Sequence, residues 1–294
     1  MHHPVFNRFH PWSGDVDPGW SVNFLGVRTR DEFIAGMTGA SPSLNPQVQT
    51  VLPSVDEEYL EWIDVLEAVV GGNGAFTMIE LGAGWGRWLM NAAAAARASD
   101  RLPVHLVGVE AEPTHFRWMQ QHFEDNDVDE GSLTLIEAAV AAQAGWVRFH
   151  VGDPSAWYGQ AIDPNPHTGT SPSVDRPAAF PVAPASRDER RIIDVRAVSL
   201  QSILGGLGRV DLIDLDVQGA EAEVLESAET MLSGQVKRVH IGTHSAENER
   251  RLHELFARLR WTNLNDYQCG AEVETPWGCV SFQDGVQTWL NPTL

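Results

Sequence analysis

An α/β fold, built on a mostly parallel sheet with helices on both faces, is what this 294-residue sequence predicts. Three observations predict it. Short apolar runs alternate with helically spaced runs from Phe76 to Leu259, the rhythm of strand–helix–strand units. A glycine turn, Gly82-Ala83-Gly84-Trp85-Gly86, joins the first strand directly to a helix. The stretch from Thr262 to Trp289 then alternates like antiparallel strands closing a sheet edge.

The elements follow in order. Residues 1–54 are rich in Pro, Gly, Asn and Trp with little periodicity, and form an N-terminal extension or cap. Within them only Arg30 to Gly36 predicts a helical turn or two. From residue 55 to 294 the pattern is that of the main domain. Asp56-Glu57-Glu58 places acids in a first helical turn, and Tyr59, Leu60, Trp62, Ile63, Leu66 and Val69 recur at helical spacing. Phe76–Leu81 is a strand, Arg87–Ala98 a helix, Val104–Val109 a strand and Thr114–Phe123 a helix. Leu133–Val140 is a third strand, and Gly145–Val151 alternates like a hairpin partner. Residues 161–189 carry six prolines and predict a lid or flexible loop, with Trp157-Tyr158 before it as a dock or tether. Strands resume at Ile192–Val198 and Val210–Asp216. A helix runs from Glu221 to Leu232, a strand from Val236 to Ile241 and a helix from Glu247 to Leu259.

Composition bounds the function. Hydrophobic residues make up 43% and charged residues 20%, ordinary globular usage and enough for a sizeable core. Twenty Lys and Arg against forty Asp and Glu give a net charge of −20, which argues against nucleic-acid partners and anionic membrane surfaces. The opening residues lack the apolar core of a signal peptide, and no run reaches the roughly 18 apolar residues that span a bilayer. A cytoplasmic location without membrane insertion is the expectation. Cys269 and Cys279 are placed to face each other across a C-terminal hairpin, as reduced thiols, and supply no zinc pattern. Nothing in the pattern speaks to oligomeric state.

The chemistry concentrates at strand ends. Glycines after Glu80-Leu81 let the backbone turn sharply against a ligand, while the next helix offers free N–H groups. Glu110, at the end of the second strand, is suited to accept both ribose hydroxyls of a nucleoside cofactor. A dinucleotide site wants G-x-G-x-x-G, whereas here the third glycine comes one position early and Arg87 takes its place. Glu80 opposes a pyrophosphate and suits the positively charged end of S-adenosylmethionine. At later strand ends stand Asp216 and His244. His244, with an ordinary pKa near neutrality, is the candidate base, and Asp216 orients it, holds an acceptor hydroxyl, touches the donor or caps the following helix. His240 and His244 share a strand face, and with Asp216 they suggest a metal constellation that their spacing disfavours. Glu221 and Glu223 read as helix surface, and Trp88 as helix packing.

With these residues in view, the chain resembles the FkbM-type S-adenosylmethionine-dependent methyltransferases over roughly residues 76–265. Glu110-Ala111-Glu112-Pro113-Thr114-His115-Phe116 is similar to the family's E-P-x-P-x-x-F segment. Ala138-Ala139-Val140 with Gly145-Trp146-Val147-Arg148-Phe149 is similar to its A-V…G-x-v-x-F stretch. Most specific is Val210 to Glu221, which is similar to D-L-I-K-I-D-V-E-G-A-E. The resemblance implies a class I methyltransferase (Rossmann-like) sheet and methyl transfer to a hydroxyl of a sugar, glycan or other natural product. It implies donor contacts from Glu80, Gly82, Ala83, Gly84 and Gly86, from Glu110 and Ala111, and from Glu137 and Ala138 beside the adenine. Asp214 stands where the family usually has lysine and Gln218 where it has glutamate, and Gly242-Thr243-His244 replaces an E-x-H strand end. Two acids able to hold a metal are thus absent, and no metal is expected. The competing readings are a nicotinamide-dependent oxidoreductase and a catalytically silent binding module that keeps the fold.

Overall fold

The computed structural model describes residues 2–35, 47–99, 102–155, 160–163 and 191–294. Its central sheet has seven strands: β1 (Phe76–Leu81), β2 (Val104–Glu110), β3 (Leu133–Glu137), β4 (Leu212–Leu215), β5 (Arg238–Thr243), β6 (Thr262–Tyr267) and β7 (Gly285–Leu290). Their spatial order is β6-β7-β5-β4-β1-β2-β3. The five strands from β5 to β3 run parallel, and β7 lies antiparallel between β5 and β6. Chain order reverses between β1 and β4, so a crevice opens there beyond the strands' carboxyl ends.

Among the described residues seven α-helices surround the sheet: α1 (Tyr59–Val70), α2 (Arg87–Ala98), α3 (Pro113–Asp125), α4 (Leu200–Leu204), α5 (Glu221–Ser227), α6 (Glu229–Gln235) and α7 (Ala246–Leu259). Among the described residues two large apolar clusters form the main core. One joins α1, α2 and the N-terminal segment; the other joins β4, β5, α4, α5 and α7. A smaller third, of Ala111, Ala139, Phe149, Val151 and Val195, lies at a three-stranded sheet outside the central one. Ala92 to Ala96 are all buried, so α2 approaches its neighbours along a surface without bulk. The N-terminal segment enters the first cluster through Val5, Phe6, Phe9, Phe24 and Val27. Phe6 stacks on Tyr59 at 5.3 Å, and full burial of such a ring is worth about 1.5–3 kcal/mol.

Several sequence expectations are corrected. Arg30 ends a short strand, Arg28–Arg30, paired with Trp20–Val22; the turns expected after it are present, Phe33 N donating to Arg30 O and Ile34 N to Asp31 O, and Gly36 lies outside the described residues. The run Leu133–Val140 divides: β3 ends at Glu137, and Ala139–Val140 joins a separate three-stranded sheet with Gly145–Val151 and Arg191–Val198. The segment Ile192–Val198 therefore lies outside the main sheet. The helix expected from Glu221 to Leu232 breaks at Ala228 into α5 and α6. The cysteines do not face each other. Cys279 lies opposite Glu274 in the hairpin Glu272–Ser281, Cys269 precedes it, and both are free, exposed thiols. Trp157-Tyr158 and nearly all of the Pro-rich 161–189 stretch lie outside the described residues.

Candidate active site

An open cleft of about 1520 Å³, mouth included, sits at the β1/β4 crevice. The glycine turn forms its floor. Gly82 has φ +81°, and a Cβ there would come within 1.8 Å of the Asp216 carbonyl oxygen, so only glycine lets the turn pass beneath β4. Gly86, at φ +70°, starts α2 and presses on Met119 and Phe123; it is a packing glycine and is not on the cleft wall. Gly82, Ala83 and Gly84 are on that wall, with Glu80, Glu110, Ala111, Ala138 and Asp216. Glu137 sits at the end of β3 opposite Glu110, exposed and outside the lining.

Glu110 is nearly buried. Its Oε2 accepts from Gly84 N at 2.8 Å and its Oε1 from Glu112 N at 2.6 Å. Burial outweighs those bonds and pushes its pKa up to about 7. Glu80 accepts from Leu89 N at 3.1 Å and Trp88 N at 3.4 Å, the first turn of α2. Beside it on β4 lies Asp214, and Glu61 reaches in from α1. Burial, then the charge of Asp214, holds both Glu61 and Glu80 well above the usual carboxylate range. His240 lies on the same wall beside Glu61 and Asp214 and is held from behind: its Nδ1 lies 2.7 Å from Asp64 Oδ2, which also accepts from Thr288 Oγ1.

Arg87 is the one arginine among the described residues of the wall, and Glu58 holds it through two bonds of 2.5 and 2.6 Å. Trp88 packs edge-on against Trp62. His115 also lines the cleft; burial lowers its pKa to about 4, leaving it neutral with Nε2 2.8 Å from the Pro154 carbonyl.

The opposite rim carries Asp216, Gln218 and Asp284. Gln218 adopts φ +53°, uncommon for a side chain other than glycine. Its Nε2 donates to Asp216 Oδ1 at 2.9 Å and lies 2.8 Å from His244 Nε2. His244 stands one layer behind the rim: Nε2 is 3.4 Å from Asp216 and 3.8 Å from Asp284. Its Nδ1 lies 2.8 Å from Glu221 Oε1, which also accepts from Gly219 N. Glu221 is fully buried, which corrects its reading as helix surface. Asp216 does not cap α5, whose N-cap is Ala220 without a side-chain bond. Desolvation pulls the His244 pKa down, but the bond to Glu221 and the charges of Asp216, Glu221 and Asp284 outweigh it, raising it to about 9.

The imagined Asp216–His240–His244 constellation is not assembled. The two histidines belong to separate groups, Glu61–Asp214–His240 and Asp216–Glu221–His244. Sequence reasoning missed Glu61, Asp284 and the buried role of Glu221. Only Glu221 had a signal, as the final acid of the Val210–Glu221 signature.

A β6-β7-β5-β4-β1-β2-β3 sheet, with a glycine turn facing an acid at the end of β2, defines a class I methyltransferase. The model of the methyltransferase FkbM domain matches residues 80–267, and the chain belongs to that family; its cofactor is S-adenosylmethionine. A protein of Jannaschia sp. (strain CCS1), named provisionally as a methyltransferase, is 25% identical over 98% of both chains. Among solved structures, a SAM-dependent methyltransferase from Agrobacterium tumefaciens is 11% identical, with 95% of this chain and 71% of that one covered, at TM-score 0.46. Methyltransferase FkbM from Methylobacillus flagellatus KT is 10% identical, over 74% of this chain and 44% of that one, at TM-score 0.44. Among the described residues no helix is long and apolar enough to cross a membrane.

The residues fit the donor. The backbone cradle at Gly82 has no room for a Cβ, Glu110 presents its carboxyl on the cleft wall, and the lining beside it at Ala111 and Ala138 is small. Glu58, Glu61, Glu80 and Asp214 make the other end of the cleft acidic, as a cationic amino-acid end requires.

Proposed function

We propose that the chain is an O-methyltransferase that methylates a hydroxyl of a small hydroxylated acceptor, such as a sugar, glycan or related natural product. The observation that carries this reading is the Glu221–His244–Asp216 series, running from the buried base of α5 to the exposed rim of the cleft. Bound S-adenosylmethionine supplies an electrophilic methyl group on a sulfonium. A hydroxyl oxygen becomes a competent nucleophile only as its proton leaves, and a placed base contributes about 10²–10⁴-fold.

Asp216 is the group that meets the acceptor, because its side chain is 54% exposed whereas that of His244 is 14% exposed. Its carboxylate accepts the hydroxyl proton and passes it on to His244 Nε2, 3.4 Å behind. Glu221 fixes the ring through Nδ1 and stabilises the imidazolium that forms, the role a buried carboxylate plays behind any histidine base. Gln218 bridges Asp216 and His244, holding both in place. Holding the oxygen in line supplies further acceleration, with effective molarities of about 10⁵–10⁸ M available from positioning.

Charge narrows the acceptor class. Among the described residues the rim presents Asp216 and Asp284 with no lysine or arginine on the cleft wall beside them, which favours an uncharged or amine-bearing acceptor over a phosphorylated or carboxylated one. The test is a panel of neutral, amino and anionic polyols incubated with isotopically labelled donor. Label recovered in base-stable ethers supports the reading. Label found only on nitrogen or in base-labile esters overturns it, and no transfer to any acceptor favours a silent binding module.

A further inference from the structure

A second cavity of about 840 Å³, mouth included, lies between the N-terminal segment and the helices. Val22, Asn23 and Val27 stand on one side, and Trp62, Asn91 and His122 on the other. It shares Glu58, Trp85 and Arg87 with the donor cleft, so those three residues separate the two spaces.

One polar group on its wall has a bonding capacity that the chain does not use. Asn23 Oδ1 accepts from Leu25 N at 3.0 Å and Val27 N at 3.2 Å, which fixes the Asn23 amide. Asn23 Nδ2 must then face Asn91, and it donates to Asn91 Oδ1 at 2.7 Å. That bond fixes the Asn91 amide in turn. Its Nδ2, on a residue only 1% exposed, is left without a partner among the described residues. Buried donors are nearly always satisfied, and an orphan carries a desolvation penalty that a ligand oxygen would relieve.

The rest of the wall sets the ligand's character. His122 is engaged by Trp85 O at 3.0 Å and Thr29 Oγ1 at 3.2 Å, and burial lowers its pKa to about 4, so it is uncharged. Arg87 and Glu58 neutralise each other. Val22, Val27 and Trp62 offer apolar surface.

We propose that this cavity is a second small-molecule site, taking an uncharged ring compound with one strong acceptor oxygen, a lactone or cyclic ketone, bonded to Asn91 Nδ2. The site is distinct from the donor cleft and does not depend on which atom the enzyme methylates.

The probe is coumarin, a neutral aromatic lactone, titrated by ligand-observed NMR into the full chain held saturated with S-adenosylhomocysteine. Saturable binding is expected, weakened about tenfold by Asn91→Leu, which removes the donor and keeps the volume. Val22→Trp, which fills the cavity from the other wall, abolishes it; both variants keep their affinity for S-adenosylhomocysteine. Coumarin binding that is seen only in the absence of S-adenosylhomocysteine overturns the proposal, as does undiminished binding to Val22→Trp. So does the absence of saturable binding up to ~5 mM, beyond the range where one hydrogen bond and ring burial should register. Should Asn91→Leu fail to fold, Val22→Trp alone decides. Failure of S-adenosylhomocysteine to bind the wild type would count against the methyltransferase reading instead.

Discussion

Replacing Glu221 by Gln is the sharpest test of the proton path. In the free protein His244 is held at about 9, against an ordinary value of 6.5, by Glu221, Asp216 and Asp284 acting against desolvation. That difference is about 3 kcal/mol in favour of the charged ring. At pH 7 only about 1% of the ring is therefore neutral and able to take a proton. Because kcat/KM reports groups of the free enzyme, it should climb about tenfold per pH unit from pH 7 toward a plateau near 9. Glu221→Gln keeps the bond to Nδ1 and removes the charge, so the midpoint should fall by ~1–2 units. The plateau should fall as well, since a weaker base in the same place does less work. The folded state must show the same group by linkage. A folded pKa raised above its unfolded value gives stability that is complete below 6.5 and lost as pH rises through about 9, so denaturation midpoints should slope downward across that window. His244→Gln should remove that part of the slope. A wild-type profile that is flat from neutral to alkaline pH, or an unmoved midpoint in Glu221→Gln, would refute the path through His244.

Three further outcomes are expected. Gly82→Ala should lose at least ~2 kcal/mol of stability in urea titrations together with all binding of S-adenosylhomocysteine, since the new Cβ meets backbone and not a yielding side chain. Glu110→Gln should bind S-adenosylhomocysteine at least ~30-fold more weakly by calorimetry, because a charged acceptor is worth about 1.5–3 kcal/mol per hydrogen bond. The unliganded variant should also lack the loss of stability that the wild type shows as pH rises from 4.5 through 7. The folded pKa of Glu110 is raised to about 7, so its contribution is favourable below 4.5 and lost as pH rises through 7. Adding a phosphate to an accepted acceptor should lower kcat/KM at least ~10-fold in initial-rate assays, with partial recovery at high salt.

The parts of the site that lie on consecutive units were readable in the sequence. Glu80, the glycine turn and Glu110 follow one another through strand, turn, helix and strand, and local periodicity is enough to order them. Asp216 and His244 were readable as strand ends for the same reason. Glu61 and Asp284 were not, because each enters from an element whose position is set by tertiary packing: α1 leans over the β1/β4 crevice, and Asp284 arrives on the turn into β7. Alternation also does not say which sheet a strand joins. Arg191–Val198 has good strand character, but its seven-residue antiparallel register with Gly145–Val151 takes it into the smaller sheet. Glu221 was misread because acids in a first helical turn usually face water, whereas here Asn248 Nδ2 and Gly219 N donate to its two oxygens and His244 covers it.

The acidity of the cleft links donor binding to protons. Among the described residues eight carboxylates line it against one arginine, which Glu58 already occupies. So many like charges cannot all ionise in a partly buried space, and burial raises Glu61, Glu80 and Asp214 together, with Glu61 hydrogen-bonded to Asp214. Protons on these acids offset the repulsion in the free protein. A sulfonium ligand supplies positive charge and favours their ionised forms, so its binding releases protons and strengthens as pH rises. The thioether left after methyl transfer has lost the sulfonium charge, keeps only the ammonium of its amino-acid end, and so gains less from the ionised acids. The same carboxylates that draw the donor in therefore hold the spent product less tightly, which sets the direction of exchange without any moving part.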